Sequence, residues 1–149
     1  MMLQTSLAIP CTCFQLRKLT RTVTRFYDQR LLAQAGLKNT QFSLLSHVLQ
    51  LSLPMARLAA EMGMERTTLT RNLRPMIEAG WVELQAGGDP RQRIVAITAA
   101  GREVQRAARP AWRAAQKELE ALLGAQAVAS LHGDIEHALA RLTEFLDGN

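Results

Sequence analysis

Hydroxyl and guanidinium side chains share one face of a helix predicted over residues 65–79. At 100° per residue, this face presents Thr67, Thr68, Arg71 and Arg74. The opposite side forms an apolar stripe of Leu69, Leu73, Met76 and Ile77. Guanidinium groups bind phosphates and guanine edges through paired hydrogen bonds, and hydroxyls can bond to several bases. The face is therefore suited to the major groove of DNA. A solvated surface face is the plain alternative, because most surface helices carry one.

A second candidate feature is a charged turn between two runs that alternate in hydrophobicity, Trp81–Leu84 and Arg93–Ile97. The turn sequence AGGDPRQ predicts a tight β-hairpin, and the charged residues at its tip are Asp89, Arg91 and Arg93. An exposed arginine on a thin projection can enter the minor groove, where negative potential concentrates. An ordinary solvated turn is the alternative. On the helix, the candidate DNA contacts also include Arg66 and Thr70.

The residues that precede the contact helix are spaced as a helix-turn-helix requires. Ala59 is small enough for two helices to approach, Gly63 can make the turn without a Cβ penalty, and Leu69 inserts between the helices. Pro54 suits the first turn of a helix over residues 54–62, where its missing N–H needs no partner. Pro75 lies inside the contact helix and predicts a bend or a reoriented last turn.

Longer helices flank this module. An amphipathic helix of about six turns is predicted before it, closed by Gly36. A short apolar helix follows, which Asn39 or Thr40 can cap. After the hairpin, Thr98 is a good N-cap for a long helix that Pro110 should bend, and a last amphipathic helix completes the chain.

The fold class expected from these elements is mainly α with a small β-hairpin wing. We expect one domain over residues 1–149, with a winged-helix DNA-binding lobe at 40–97 and dimerisation helices at 11–35 and 98–147. The apolar stripes of the flanking helices exceed what so small a lobe can cover, which favours a homodimer interface. A monomeric helical domain packed on itself is the alternative.

Composition narrows the class of protein. The 149 residues are 48% hydrophobic and 21% charged, which excludes a disordered chain. No apolar run approaches the roughly 18 residues of a membrane-spanning helix, and the N-terminal segment lacks the features of a signal peptide. The two cysteines are too few and too close for a secreted disulfide framework. We therefore expect a cytoplasmic protein without a membrane partner.

The net charge of +5 permits a nucleic-acid partner but does not establish one. Residues 54–97 carry six arginines against five acidic residues, so this stretch is nearly neutral. DNA binding would therefore depend on where its arginines point.

The sequence gives no indication of an enzyme, a cofactor or a metal site. His47, His132 and His137 lack the spacing of metal ligands, since the last two lie five residues apart and off one helical face. No activated nucleophile or pair of catalytic carboxylates is recognisable.

Three motifs in order resemble the MarR (multiple antibiotic resistance regulator) family. They are a helix-turn-helix closed by Gly80-Trp81-Val82, an Asp89-Pro90-Arg91 wing tip, and Ile97-Thr98-Ala99-Ala100-Gly101 leading into the next helix. The resemblance covers about residues 11–146. It implies a dimer that binds a pseudopalindromic operator, usually as a repressor released by a ligand or an oxidant. It further implies that Arg91 enters the minor groove, that Asp89 orients Arg91, and that the 65–79 helix lies in the major groove.

Two features are candidates for sensing a signal. Cys11 and Cys13 lie at the start of the first helix, where the helix dipole and Arg17 favour a thiolate. Some members of the family sense peroxides with a cysteine near this position, but they rely on tyrosines of the second helix, which this chain lacks. A bond between the two cysteines would close a small, strained ring, so pairing between subunits or capture of a soft metal is favoured over it. Unreactive cysteines are the alternative.

The other feature is a stripe of arginines at i, i+4 and i+8 along the first helix: Arg17, Arg21 and Arg25. These residues could bind a small aromatic or anionic ligand in a cleft beside the DNA-binding lobe. A solvated basic face is the alternative. For the whole protein, the competing function is a winged helix that contacts other proteins and binds no specific DNA.

Overall fold

The computed structural model describes residues 11–148. Residues 1–10, which form most of the segment that lacks signal-peptide features, lie outside the described residues. The elements in chain order are α1 (Thr12–Ala35), α2 (Asn39–His47), β1 (Leu53–Pro54), α3 (Met55–Glu61), α4 (Arg66–Glu78), β2 (Val82–Ala86), β3 (Arg93–Ile97), α5 (Ala99–Leu123) and α6 (Ala125–Asp147). The chain forms two compact units, one ending at Trp112 and the other beginning at Arg113. The mainly helical fold with a small β-hairpin is confirmed.

The hairpin belongs to a three-stranded antiparallel sheet in the order β1-β3-β2. Val82 pairs with Ile97 and Ala86 with Arg93, so β2 and β3 lie in register over their whole length. β1 was not predicted, because a strand of two residues is too short to show alternation. Its pairing of Pro54 with Ile94 brings the start of α3 close to the turn end of the hairpin.

The core of the first unit is aliphatic. Its largest fully buried side chains come from α1 to α4, the sheet and the loops between them: Leu31, Leu37, Leu44, Leu45, Val48, Leu58, Leu69, Leu73, Met76, Val82 and Val95. Burying each such side chain contributes about 1.5–3 kcal/mol. The helix-turn-helix is confirmed, since Ala59 is buried, Gly63 has a positive φ of 62° and the N–H of Met64 donates to the carbonyl of Ala59 (2.8 Å).

The closing motifs of the lobe meet at one joint. The hydroxyl of Thr98 donates to the carbonyl of Gly80 (2.6 Å) and accepts the N–H of Gly101 (3.0 Å), which confirms Thr98 as the cap of α5. The backbone N–H of Thr98 donates to the carbonyl of Trp81 (3.0 Å). A Cβ at position 101 would overlap that same carbonyl oxygen, so only glycine lets α5 begin this close to the hairpin.

Several local predictions were wrong. Ile77 is 38% exposed, because it lies about 80° around the helix from Leu69, at the edge of the buried stripe. Neither Asn39 nor Thr40 caps α2, because the helix begins at Asn39, whose N–H donates to Asp28 (2.7 Å).

The two internal prolines do not end their helices. α4 continues through Pro75 to Glu78, and α5 continues through Pro110 to Leu123. Gly36 and Gly124 close α1 and α5 with positive φ angles of 71° and 91°.

Large apolar side chains remain exposed on the flanking helices. In the first unit they include Phe14, Leu16 and Leu19 at the start of α1. In the second unit they are Leu122, Leu123, Ile135, Leu139, Leu142, Phe145 and Leu146. Within residues 11–148, no helix is long and apolar enough to cross a membrane.

Candidate nucleic-acid interface

The contact helix α4 is anchored from beneath by three side chains that are almost fully buried. Leu69 and Met76 are 0% exposed and Leu73 is 1% exposed. The opposite face is therefore held toward solvent, where Thr67 and Arg71 are exposed. Because the anchors repeat once per turn, the first two turns of α4 present their polar side chains from a fixed backbone.

Some polar side chains of α4 already donate hydrogen bonds to backbone carbonyls of the same helix, whereas others do not. The hydroxyl of Thr70 donates to the carbonyl of Arg66 (2.9 Å), so it can only accept a bond from a ligand. The half-buried Asn72 amide donates to the carbonyl of Thr68 (2.9 Å) and lies 3.9 Å from the sulfur of Met64. Sequence reasoning missed Asn72, which ties the helix to the preceding turn.

The arginines of α4 differ in their partners. Arg74 donates to Glu78 (3.2 Å) in an ion pair whose side chains are 82% and 66% exposed. Within the part of the chain that the structure describes, Arg66 and Arg71 form no ion pair. An exposed pair like that of Arg74 contributes about 0–1 kcal/mol, so it can rearrange, but Arg66 and Arg71 need no rearrangement to meet a ligand.

Backbone hydrogen bonds hold the tip of the wing. A carboxylate oxygen of Asp89 accepts the backbone N–H of Arg91 (2.9 Å), and the carbonyl of Asp89 accepts the N–H of Gln92 (2.9 Å). Arg93 donates to the carbonyl of Pro90 (3.3 Å). Asp89 therefore fixes the backbone from which Arg91 projects, and the Arg91 side chain stays exposed.

One cleft brings part of the predicted contact set together. Arg66 of α4 and three charged residues of the wing, Asp89, Arg91 and Arg93, line it. Pro54, Met55, Ala56 and Gln92 line it as well. Sequence reasoning could not find Pro54, Met55 and Ala56, because they join the cleft only through the pairing of β1 with β3. Gln92 lies between two predicted residues of the wing and was not singled out. Thr67, Thr68, Thr70, Arg71 and Arg74 do not line it.

The candidate sensing residues lie together on α1. Cys11 and Cys13 are exposed free thiols, and they line a shallow depression with Phe14, Arg17 and Arg21. Arg21 and Arg25 also line a neighbouring groove along the same helix, which includes the carboxylate of Asp28.

Two titratable groups of α5 have shifted pKa values. Arg106 donates two hydrogen bonds to Glu103 (2.8 and 3.3 Å), which lowers the pKa of Glu103 and raises that of Arg106. His47 lies with its Nδ1 2.7 Å from the carbonyl of Ser43, in its own helix.

Comparisons with known proteins agree with this geometry. The model of the MarR family matches residues 35–93. The chain is similar to the M. tuberculosis transcriptional regulator MosR, whose structure was determined in complex with DNA. The two are 38% identical, the match covers 87% of this chain and 98% of MosR, and the TM-score is 0.71.

More distant structures share the fold. CouR from Rhodococcus jostii RHA1, bound to p-coumaroyl-CoA, is 18% identical over 89% of this chain and 94% of CouR, with a TM-score of 0.70. Apo MarR from E. coli is 21% identical over 88% of this chain and 98% of MarR, with a TM-score of 0.68. A comparison with curated protein sequences found no match.

Proposed function

Since this chain belongs to the MarR family of transcriptional regulators, we propose that it is a homodimeric repressor released from a pseudopalindromic operator by a small ligand or by thiol modification. The observation that carries the DNA-binding part is the exposed face of α4. Its unpaired Arg71 and exposed Thr67 stand opposite three buried anchors, and the wing presents Arg91 from a fixed backbone.

The proposed contacts divide by groove. α4 enters the major groove through Arg66, Thr67, Thr68, Thr70, Arg71 and Arg74, and the wing enters the minor groove through Arg91. Asp89 supports Arg91, and Arg93 lies beside the turn of the wing. Side chains of this kind bond to guanine and to phosphate oxygens, so Arg71 would specify sequence whereas the others would mainly position the protein.

A second copy of the chain is the proposed cover for the exposed apolar residues of α1, α5 and α6. Phe14 and Leu16 are 51% and 48% exposed, and Leu142 and Phe145 are 60% and 67% exposed. A dimer would place two α4 helices about one helical turn of DNA apart, roughly 34 Å. The two-fold symmetry of such a dimer is the reason why the operator should be pseudopalindromic.

Release by a signal would act through α1. One candidate is a thiol switch at Cys11 and Cys13, which are exposed to an oxidant or a soft metal. The other is an anionic ligand held by Arg17, Arg21 and Arg25. CouR shares the fold and was crystallised with p-coumaroyl-CoA, an anionic ligand, which supports including this second candidate.

The experiment that tests DNA binding is a gel shift against the DNA upstream of this protein's own gene, at several salt concentrations. A repressor of this kind should prefer one duplex, and its affinity should fall steeply with salt because phosphate contacts release counterions. No sequence preference and a flat salt response would favour the competing function, a winged helix that contacts proteins.

The thiol switch has a separate test. Cys11→Ser should leave DNA binding of the untreated protein unchanged, because the thiol lies on α1 and not on the contact face. Oxidant or arsenite should release the wild type but not the variant. If the variant is still released, Cys11 is not required for sensing and the α1 ligand site becomes the stronger candidate.

A further inference from the structure

The cleft beside the tip of the wing has an excess of positive charge. It occupies about 290 Å³, and three guanidinium groups line it against one carboxylate, that of Asp89. That carboxylate already accepts the backbone N–H of Arg91. Within residues 11–148, none of the three arginines, Arg66, Arg91 and Arg93, forms an ion pair. Arginines that do form ion pairs, such as Arg57 with Glu61 at 2.9 Å, lie outside the cleft.

We propose that this cleft binds one phosphate group, held between Arg66 and Arg93. The volume allows it, because a water molecule takes about 30 Å³ of liquid and a tetrahedral phosphate with its remaining waters takes several such volumes. Guanidinium is the side-chain group whose fork of donors matches phosphate oxygens.

The two arginines come from different elements. Arg66 is the first residue of α4, and Arg93 is the first residue of β3, paired with Ala86. One nitrogen of Arg93 already donates to the carbonyl of Pro90, so its guanidinium is held beside the tip of the wing with other donors still unused. A phosphate shared by Arg66 and Arg93 would therefore fix the wing relative to the contact helix.

The phosphate can come from two sources. One is a phosphodiester of the operator backbone, in which case the inference rests on the proposed function and the cleft sets the register of the protein on DNA. The other is free inorganic phosphate, which would occupy the cleft and compete with DNA.

The first experiment tests the DNA backbone as the source. It uses the preferred duplex, in which one phosphate at a time is replaced by a neutral methylphosphonate. The wild type should lose about tenfold in affinity at one position in each half-site. Arg66→Gln and Arg93→Gln should lose about tenfold on the unmodified duplex and lose no more at that position. Each variant should also reduce the salt slope by about 1. Arg57→Gln is the matched control, because it removes an exposed arginine outside the cleft, and it should behave as the wild type does.

The free-phosphate arm measures the ³¹P line width of inorganic phosphate as the full-length protein is added. Broadening that disappears in Arg66→Gln and persists in Arg57→Gln supports the cleft as a site for free phosphate. Melting curves confirm that the variants fold, which is expected because both arginines are exposed.

The outcomes separate the two proposals. If the wild type prefers a duplex but neither arm depends on Arg66 or Arg93, the cleft proposal is overturned and DNA binding stands. If the wild type prefers no duplex, the proposed function fails and the ³¹P arm alone decides the cleft, in favour if the broadening needs Arg66 and against if it does not.

Discussion

The arginines of α4 and those of α1 form two basic surfaces that differ in what supports them. Beneath the α4 arginines, Leu69, Leu73 and Met76 are at most 1% exposed. By contrast, every residue from Cys11 to Thr22 is exposed, and the first buried residue of α1 is Tyr27. One chain therefore holds the contact face in place, whereas the start of α1 stays exposed among the residues that the structure describes.

This difference suggests a division of labour. The geometry of the proposed base contacts is set inside the lobe by aliphatic packing, which resists deformation. The arrangement of α1 would instead depend on the proposed partner copy, so a modification of Cys11 or Cys13 can alter it without unfolding the lobe. The following predictions break or sharpen this comparison.

The largest effect is expected from Leu69→Ala. The change leaves a cavity beneath the contact face and should lower the free energy of unfolding by about 2–5 kcal/mol. Thermal and urea denaturation at one fixed protein concentration measure it, since dimer stability depends on concentration. Thr67→Ala on the exposed face of the same helix is the control and should shift stability by about 0.5 kcal/mol or less. Equal effects of the two changes would mean that the buried stripe does not support the face.

Leu142→Glu tests whether a second copy of the chain covers the exposed apolar residues of α6. Leu142 is 60% exposed in the single chain, so the change should leave the lobe folded. A carboxylate in an apolar interface should weaken dimerisation by roughly 2–4 kcal/mol. Sedimentation should then show monomers, and operator binding should fall to that of a single half-site. A variant that stays dimeric would place the interface elsewhere.

Arg71→Ala should weaken operator binding by about 1–3 kcal/mol and relax sequence preference, because a lost base contact affects the specific site most. Competition between the operator and a scrambled duplex measures the preference. Arg74→Ala is the comparison. Because the guanidinium of Arg74 is paired with Glu78 in the free protein, it is less available to DNA, and the loss in affinity should be smaller than for Arg71→Ala. A larger loss for Arg74 than for Arg71 would show that pairing in the free protein does not predict the contact.

Arg91→Ala should have the smallest effect of the four, about 1–1.5 kcal/mol of binding free energy with folding intact. The side chain is exposed, and the backbone bond from Arg91 to Asp89 survives the change. Fluorescence anisotropy with the operator measures the loss. Unchanged affinity would remove the wing tip from the mechanism.

The sequence predicted those parts of the fold that depend on long, regular periodicity. The stripe through Leu69, Leu73 and Met76 located α4 to within one residue at each end, and Gly63 located the turn before it. Thr98 was identified as a cap because its side-chain chemistry is local, three residues from the N–H that it accepts.

The parts that depend on distant pairing were missed. β1 is only two residues long, and it exists because Leu53 meets Val95, more than forty residues along the chain. The cleft at the wing follows from that pairing, so no local pattern revealed that Arg66 and Arg93 line the same space. Ile77 was misplaced because a residue at the edge of an apolar stripe can face either way. The DNA and sensing roles of the site residues stay predictions.

The hydrogen bonds at Thr98 couple the orientation of the wing to that of the first turn of α5. Only Thr98 separates β3 from α5, and its hydroxyl bonds to both the carbonyl of Gly80 and the N–H of Gly101. The hairpin and the first turn of α5 should therefore move together. Arg91 lies six residues from Ile97, which is roughly 20 Å at about 3.3 Å per strand residue. By this geometry, tilting the first turn of α5 by about 10° would sweep the tip through about 3.5 Å. That displacement exceeds the length of a hydrogen bond, so a small rotation at the base is enough to withdraw Arg91 from the minor groove that we propose it enters.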